Sequence, residues 1–412
     1  EQSGTCSSKM RSLVPPLLLL RGASSLRVSR HMELRIGSEF FSVLDFGAQG
    51  DGKSDDTDSI QAALDACASK GGGVVLLPAG EYLSFGGLEI KSNFTELRIE
   101  GSLTIHDDRK AYSKKCGDKP IIHAQDLSDV AITGSGLIDG QGKEWWQHRD
   151  DFRPEMVSSK RVTRFLVHGL TFTNPPNHCL EVGGSFLEIS HVTVLAPPST
   201  GVPEDQRSHN TDAIDVHASS AYIHDSYLST GDDNIAFHAS NSIVERCFFG
   251  SGHGTSIGSL CDDSVENITV LDSVFENTTC AIRIKTREGC SGSVSNVRWE
   301  GLRMTNVEQP VDIDMFYTYA GVDQDVEPEA GSTRMKISDV VIRNVSSVGH
   351  RYEGAFHCDS RSPCSDFTLE DVRFGEKDQW TCPGGKGDDC CQNIRGRIDN
   401  VQPRLGECFQ HS

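Results

Sequence analysis

The sequence has no apolar run long enough to cross a bilayer. Its one concentrated stretch, Leu13–Leu20, is under half of the roughly 20 residues a spanning helix needs, so no membrane partner is expected. Positive charge is also scarce: 39 Lys and Arg against 59 Asp and Glu leave a net charge of −20, which argues against nucleic acid as a partner. No Pro/Ser-rich linker interrupts residues 42 to 408, so the 412 residues read as one elongated domain from 41 to 412 rather than several. Long helices have little room, because 40 Gly and many Asn, Asp and Ser cut the chain into strands of four or five residues. The exception is Asp55 to Lys70, where Ile60, Leu64 and Cys67 share a helical face and Gly71-Gly72-Gly73 stops the run. We read it as a short N-terminal helix capping the open end of a solenoid.

What is present is a repeat. An apolar residue, two others, a small or apolar residue, one other and a final apolar residue recur along the chain. The copies fall at Leu127/Val130/Ile132, Val167/Leu170/Phe172, Ile189/Val192/Val194, Ile223/Ser226/Leu228, Val244/Cys247/Phe249, Val270/Ser273/Phe275, Trp299/Leu302/Met304, Ile337/Val340/Ile342 and Leu369/Val372/Phe374. First positions step by 21 (Ile223 to Val244) to 40 residues (Leu127 to Val167), enough in most cases for three short strands and their turns but not for a strand-helix-strand unit. The period predicts an all-β right-handed parallel β-helix.

Residues 1–40 differ in composition. Lys9 and Arg11 precede Leu13–Leu20, and a basic, Ser-containing stretch follows, so the segment reads as a secretory signal remnant, a transit-like leader or a cloning-derived piece around His31-Met32 and Gly37-Ser38-Glu39-Phe40. The 14 Cys include a dense group at Cys358, Cys364, Cys382, Cys390, Cys391 and Cys408, whose spacings match no common zinc pattern. Local disulfides fastening the last coil and tail are expected, in a secreted protein, and sequons at Asn93, Asn267, Asn277 and Asn344 suit the same compartment.

Four polar motifs sit about one repeat apart: Asn210-Thr211-Asp212, Asp232-Asp233, Gly252-His253-Gly254 and Arg283-Ile284-Lys285. Each alone is compatible with a solvated turn or strand face. Counting from the first apolar position of each coil, Asp232 and His253 both lie nine residues on, and stacked coils are about 4.8 Å apart, so the two are expected to be neighbours. Arg283 and Lys285, two apart on a strand, share a face. Asp232 and Asp233 would face oppositely on a regular strand, so both serve one site only if Gly231 bends the backbone. Three carboxylates within a coil of one another raise at least one pKa, as acid-assisted glycosidic cleavage requires; cation binding or turn capping is the alternative.

In this order the motifs resemble those of glycoside hydrolase family 28, the polygalacturonases and related pectin hydrolases. The likeness covers roughly residues 42 to 408, including Val43-Leu44-Asp45-Phe46-Gly47-Ala48, Asn210-Thr211-Asp212-Ala213-Ile214-Asp215, Gly231-Asp232-Asp233, Gly252-His253-Gly254 with Ser256-Ile257-Gly258-Ser259, and Arg283-Ile284-Lys285. The resemblance implies an inverting hydrolase of α-1,4-linked galacturonan in pectin, monomeric, secreted to the cell wall, and working with no metal and no organic cofactor. It implies Asp232 as general acid, Asp212 and Asp233 holding and deprotonating water, and His253 shaping the protonation of the acid. Arg283 and Lys285 would grip the galacturonate carboxylate, with Tyr317 touching substrate and Asn210 positioning Asp212 or the sugar. The chain departs from the family at Asn234, where Cys is usual, and at Ala213, where Gly is usual. These departures leave open endo or exo action and a decorated pectin such as rhamnogalacturonan or xylogalacturonan. A calcium-dependent pectate lyase and a non-catalytic pectin-binding protein are the rival readings.

Overall fold

The computed structural model describes residues 32–149, 151–318, 334–375, 377–407 and 409–411. Leu13–Leu20 and Cys408, on which the leader and tail expectations partly rest, lie outside them. The strands pair almost entirely in parallel, each with its equivalent one coil away, which gives the expected parallel β-helix. One ladder runs through Leu180–Gly184, Ile214–Ala218, Ile235–Phe237, Thr255–Leu260, Cys280–Thr286 and Gln309–Asp314, and it carries the polar motifs. Two further ladders complete each coil. In one of them Ile189, Ile223, Val244, Val270, Trp299, Ile342 and Leu369 stack as a column of fully buried side chains. In the other, Phe172, Val194, Leu228, Phe249, Phe275 and Met304 do the same.

The repeat is the imprint of a corner. Its third residue is left-handed at Gly169, His191, Asp225, Arg246, Asp272, Gly301 and Asp371, a conformation open to Gly and tolerated by Asn and Asp. The left-handed residue turns the chain between two ladders while the flanking apolar residues stay inside. A second corner of each coil uses the same device, at Asp129, Asn296 and Asp339. Two repeats assigned from the sequence belong to that second corner: Val167 pairs with Ile132 rather than Leu127, and Trp299 pairs with Ile342 rather than Ile337. The pattern thus marks two bends per coil, and spacing alone does not tell one from the other.

The capping helix spans Thr57–Ser69 and buries Ile60, Ala63, Leu64 and Cys67. The Asp56 carboxylate accepts from the backbone N–H groups of Gln49 and Gly50, tying the preceding loop to the helix start. A second helix, Arg109–Cys116, was not anticipated; the Asp108 side chain caps it by accepting from Ala111 N–H. Disulfides join Cys358 to Cys364 and Cys382 to Cys390, fastening the last coil as expected, and a third joins Cys261 to Cys290 across adjacent coils. Cys391 is also disulfide-bonded. Among the described residues no helix is long and apolar enough to cross a membrane.

Candidate active site

The site is built at the entry to the polar ladder, where each coil turns into its strand. The pairs Ile214↔Ile235 and Ile235↔Thr255 set Asp212, Asp233 and His253, each two residues earlier, level with one another. The alignment is therefore one residue off the Asp232–His253 count made from the sequence. The imidazole still reaches both acids: His253 Nδ1 lies 3.1 Å from Asp232 and 3.8 Å from Asp233. Asp232 and Asp233 precede the strand in a turn, so the alternation of a regular strand does not apply. Gly231 is needed there for close approach, since a Cβ would collide with Ser208 and with the Pro197 carbonyl.

The three carboxylates have different surroundings. Asp232 is the most open, its side chain 24% exposed, against 10% for Asp212 and 2% for Asp233. Asp233 accepts from Ser256 Oγ at 2.7 Å and from Lys285 Nζ at 2.7 Å, with Arg283 at 3.5 Å, so its oxygens are held by an ionic cluster. Burial pushes the Asp212 carboxyl well above its ordinary value, and the charges of Asp232 and Asp215 push it further. Burial also works to raise Asp232, but the hydrogen bond and charge of His253, with Lys285 and His178, outweigh it and hold this carboxyl below the usual range. Asp212 is thus raised, while Asp232, which the resemblance makes the acid, is lowered.

The cations stand beside this cluster. Burial works to lower Lys285, but the charge and hydrogen bond of Asp233, with Tyr317, together outweigh it, and it stays protonated. Tyr317 roofs both, its ring centroid 5.2 Å from the Arg283 guanidinium carbon and 5.3 Å from Lys285 Nζ. Asn210 is a left-handed turn residue whose Oδ1 accepts from Arg153 Nη2 at 2.8 Å, which ties this turn to Arg153.

Several residues that matter here were not singled out from the sequence. Asp215 is buried and its carboxyl, like that of Asp212, is pushed well up by burial and neighbouring acids. Its signal was available, three residues after Asp212 in the first motif. Asp312 lies 3.5 Å from Arg283 and competes for its guanidinium. Arg153 is buried behind Asn210 and also donates to the His209 carbonyl at 2.7 Å. His178 stands between Asp212 and Asp215. Asn234, the departure from the family pattern, is fully buried and staples the motifs together. Its Nδ2 donates to the Leu228 and Ser251 carbonyls and its Oδ1 accepts from Gly254 N–H.

A carboxyl hydrogen-bonded to a histidine, two further carboxylates and a roofed pair of cations can protonate a leaving group, hold water and bind an anion on one face. Comparison with known proteins agrees with this chemistry. Residues 67–391 match the profile of the glycosyl hydrolases family 28. A probable polygalacturonase of Arabidopsis thaliana is 33% identical over 396 residues, covering 92% of this chain and 83% of that protein. A polygalacturonase of Cryptomeria japonica is 29% identical over 382 residues, covering 86% of this chain and 70% of its own. The solved polygalacturonase of Erwinia carotovora superposes with a TM-score of 0.73 at 25% identity, over 90% of this chain and 99% of that one. With the motif geometry and these relatives together, the chain belongs to glycoside hydrolase family 28.

Proposed function

We propose that this chain hydrolyses α-1,4-galacturonosidic bonds of polygalacturonan with inversion. Asp232 protonates the departing oxygen while Asp212 and Asp233 hold the attacking water and Asp212 takes its proton. The observation that carries the reading is the convergence of Asp212, Asp232, Asp233, His253, Arg283 and Lys285 on one ladder face, with Asp232 the most exposed carboxylate and bonded to His253. The charge of Asp232 is one of the causes that raise Asp212, so a proton gained by Asp232 relieves Asp212. A sugar ring packed over Asp232 strips its water and pushes its carboxyl upward, as burial already does for Asp212. An ammonium has three donors; Lys285 spends one on Asp233 and keeps others for a galacturonate carboxylate. The relatives named as polygalacturonases support this substrate, and the disulfides support secretion to an oxidising space such as the cell wall. The helix Thr57–Ser69, which buries its apolar face at one end, suits a monomer.

The test is a time course on polygalacturonic acid with chelator present, following reducing ends, ultraviolet absorbance and product size. Hydrolysis gives reducing ends without absorbance, and monomer from the outset marks exo action. Absorbing product that disappears with chelator would instead mark calcium-dependent elimination. Asp232→Asn is expected to remove turnover and spare polymer binding; a near-normal rate in that variant would sink the acid assignment.

A further inference from the structure

We propose that the cavity between Lys160 and His217 is a second anion subsite, holding the carboxylate of a further galacturonate residue in the chain being cut. The inference rests on the polygalacturonan reading and extends it along the ladder. One row of outward positions on the polar ladder joins the cavity to the carboxylates. Gly183 pairs with His217, and Lys160 stands one coil earlier, next to the pair Ser159↔Val182. His238 follows Phe237, which pairs with Val216, so it continues the row one coil later. Gly258 and Lys285 extend it, since Ile257 pairs with both Phe237 and Ile284. Coils are about 4.8 Å apart, which puts Lys160 about 14 Å from the coil of Asp232 and about 24 Å from that of Lys285. A pyranose residue advances a chain by roughly one coil, so about six residues join the two lysines.

The cavity has a volume of about 590 Å³ and is lined by Lys160, Glu181, Gly183, Ser185 and His217 among others. It exists because the row has no side chain at Gly183. The backbone there is not left-handed, so its conformation does not call for glycine, and a Cβ would meet the Ser159 carbonyl at 3.3 Å and His217 Cβ at 3.4 Å. The empty position separates Lys160 from His217 by two coils, about 10 Å. The His217 and His238 rings stack with centroids 4.7 Å apart and 8° between their planes, which leaves the other face of His217 towards the gap. Burial pushes both imidazoles below their ordinary range, to about 4 at His238, so near neutral pH they form a flat uncharged wall. A sugar ring can lay its C–H groups against such a wall.

The polar groups around the gap fit a sugar acid. Lys160 is exposed, and among the described residues it makes no ion pair and no side-chain hydrogen bond. Arg161 beside it is committed, its guanidinium bonded to Asp126 at 2.5 and 2.6 Å. In a chain with 59 acids against 39 bases, a lysine left unpaired beside a cavity is available to a ligand carboxylate. An ammonium is a point charge with three donors, so it attracts a carboxylate without the fixed geometry of a guanidinium fork. Glu181 lies in the neighbouring row, 3.9 Å from His178, and with Ser185 it can bond the sugar hydroxyls. A cation on one side of a ring-sized gap and hydroxyl partners on the other select a uronate over a neutral sugar.

The test uses galacturonan oligomers of three and eight residues, the shorter unable to join Lys285 to Lys160. Wild-type kcat/KM is expected to favour the octamer. Lys160→Ala should cut that advantage about tenfold, and Lys160→Arg should restore it. Gly183→Leu, which fills the gap from its floor, should cut it as well. Calorimetric binding of the octamer to Asp232→Asn gives a readout without turnover, and adding Lys160→Ala to that variant should weaken binding by about the same factor. An octamer advantage that survives Lys160→Ala or Gly183→Leu would overturn the proposal, as would an equal loss on both oligomers. If the wild type releases no reducing ends while octamer binding still depends on Lys160, the hydrolase reading fails and the subsite stands.

Discussion

Replacing Asn234 by Ala tests whether the departure from the family pattern is structural. The amide makes three hydrogen bonds inside a fully buried site: Nδ2 to the Leu228 and Ser251 carbonyls at 3.0 Å each, and Oδ1 from Gly254 N–H at 2.8 Å. The two carbonyls keep a second partner, since Leu228 also accepts from Gly250 N–H and Ser251 from Thr230 N–H. Their loss costs about 1 kcal/mol each, whereas Gly254 N–H is left orphaned at about 1–3 kcal/mol. Asn234→Ala is therefore expected to destabilise the fold by about 3–5 kcal/mol, with Asn234→Cys between Ala and wild type because a thiol donates weakly to one carbonyl. Urea unfolding gives the total, and amide exchange at His253 and Gly254 locates it, which matters because a stacked repeat need not unfold in one step. A cost below about 1 kcal/mol, with exchange at Gly254 unchanged, would refute the reasoning.

Other expectations follow from the charges and bridges. The Asp212 carboxyl is raised in the fold, so the stability it contributes is present below its unfolded value near pH 4 and is lost as pH rises through the folded one. Asp212→Asn should match wild type in denaturant below about pH 4 and exceed it increasingly towards neutrality; no gain at pH 7 would refute the burial argument. Glu353 runs the opposite way: burial would raise it, but His350, Thr381 and Lys377 bring it down to about 2. Glu353→Gln should destabilise at neutral pH, with the difference narrowing as pH falls from about 4 towards 2, measured as a melting profile against pH. Lys285→Ala should slow unesterified substrate far more than methyl-esterified substrate and also lower kcat, because Asp233 loses its 2.7 Å partner; equal loss of kcat/KM on both substrates would count against a carboxylate contact. Removing the Cys261–Cys290 bridge, which closes a separation of 29 residues, should cost about 3–4 kcal/mol by unfolding under oxidising conditions.

The solenoid was legible because its core columns demand the same residue class at each coil, and the motif face was legible because ladder pairing turns a sequence interval into a neighbour. Register was less so. Asp129 and Asp339 bend the chain by the same left-handed turn as Asp272, and the flanking apolar spacing is identical at both corners. Tyr317 came from the family pattern alone, and Asn210, though inside the first spaced motif, took its role from the same source. Arg153 was missed because it sits in an irregular excursion; His178 lies 34 residues before Asp212, the same step as Ile189 to Ile223, and was missed because a lone histidine in a turn belongs to no motif. The ionisation order of Asp212 and Asp232 was illegible for a different reason: it depends on burial and on the direction in which His253 points, and neither is written in a linear spacing.

The ladders keep their register although the excursions between them vary greatly. Residues 196–213 bridge one pair of strands with room for the turn Glu204–Gln206, while residues 230–234 suffice for the equivalent connection one coil later. Because both return to neighbouring strands that pair Ile214 with Ile235, loop length has no purchase on the spacing of the carboxylates. Insertions at such a connection can reshape the walls around a polymer without retuning the reaction, so in this architecture substrate range and bond-breaking chemistry can evolve as separate traits.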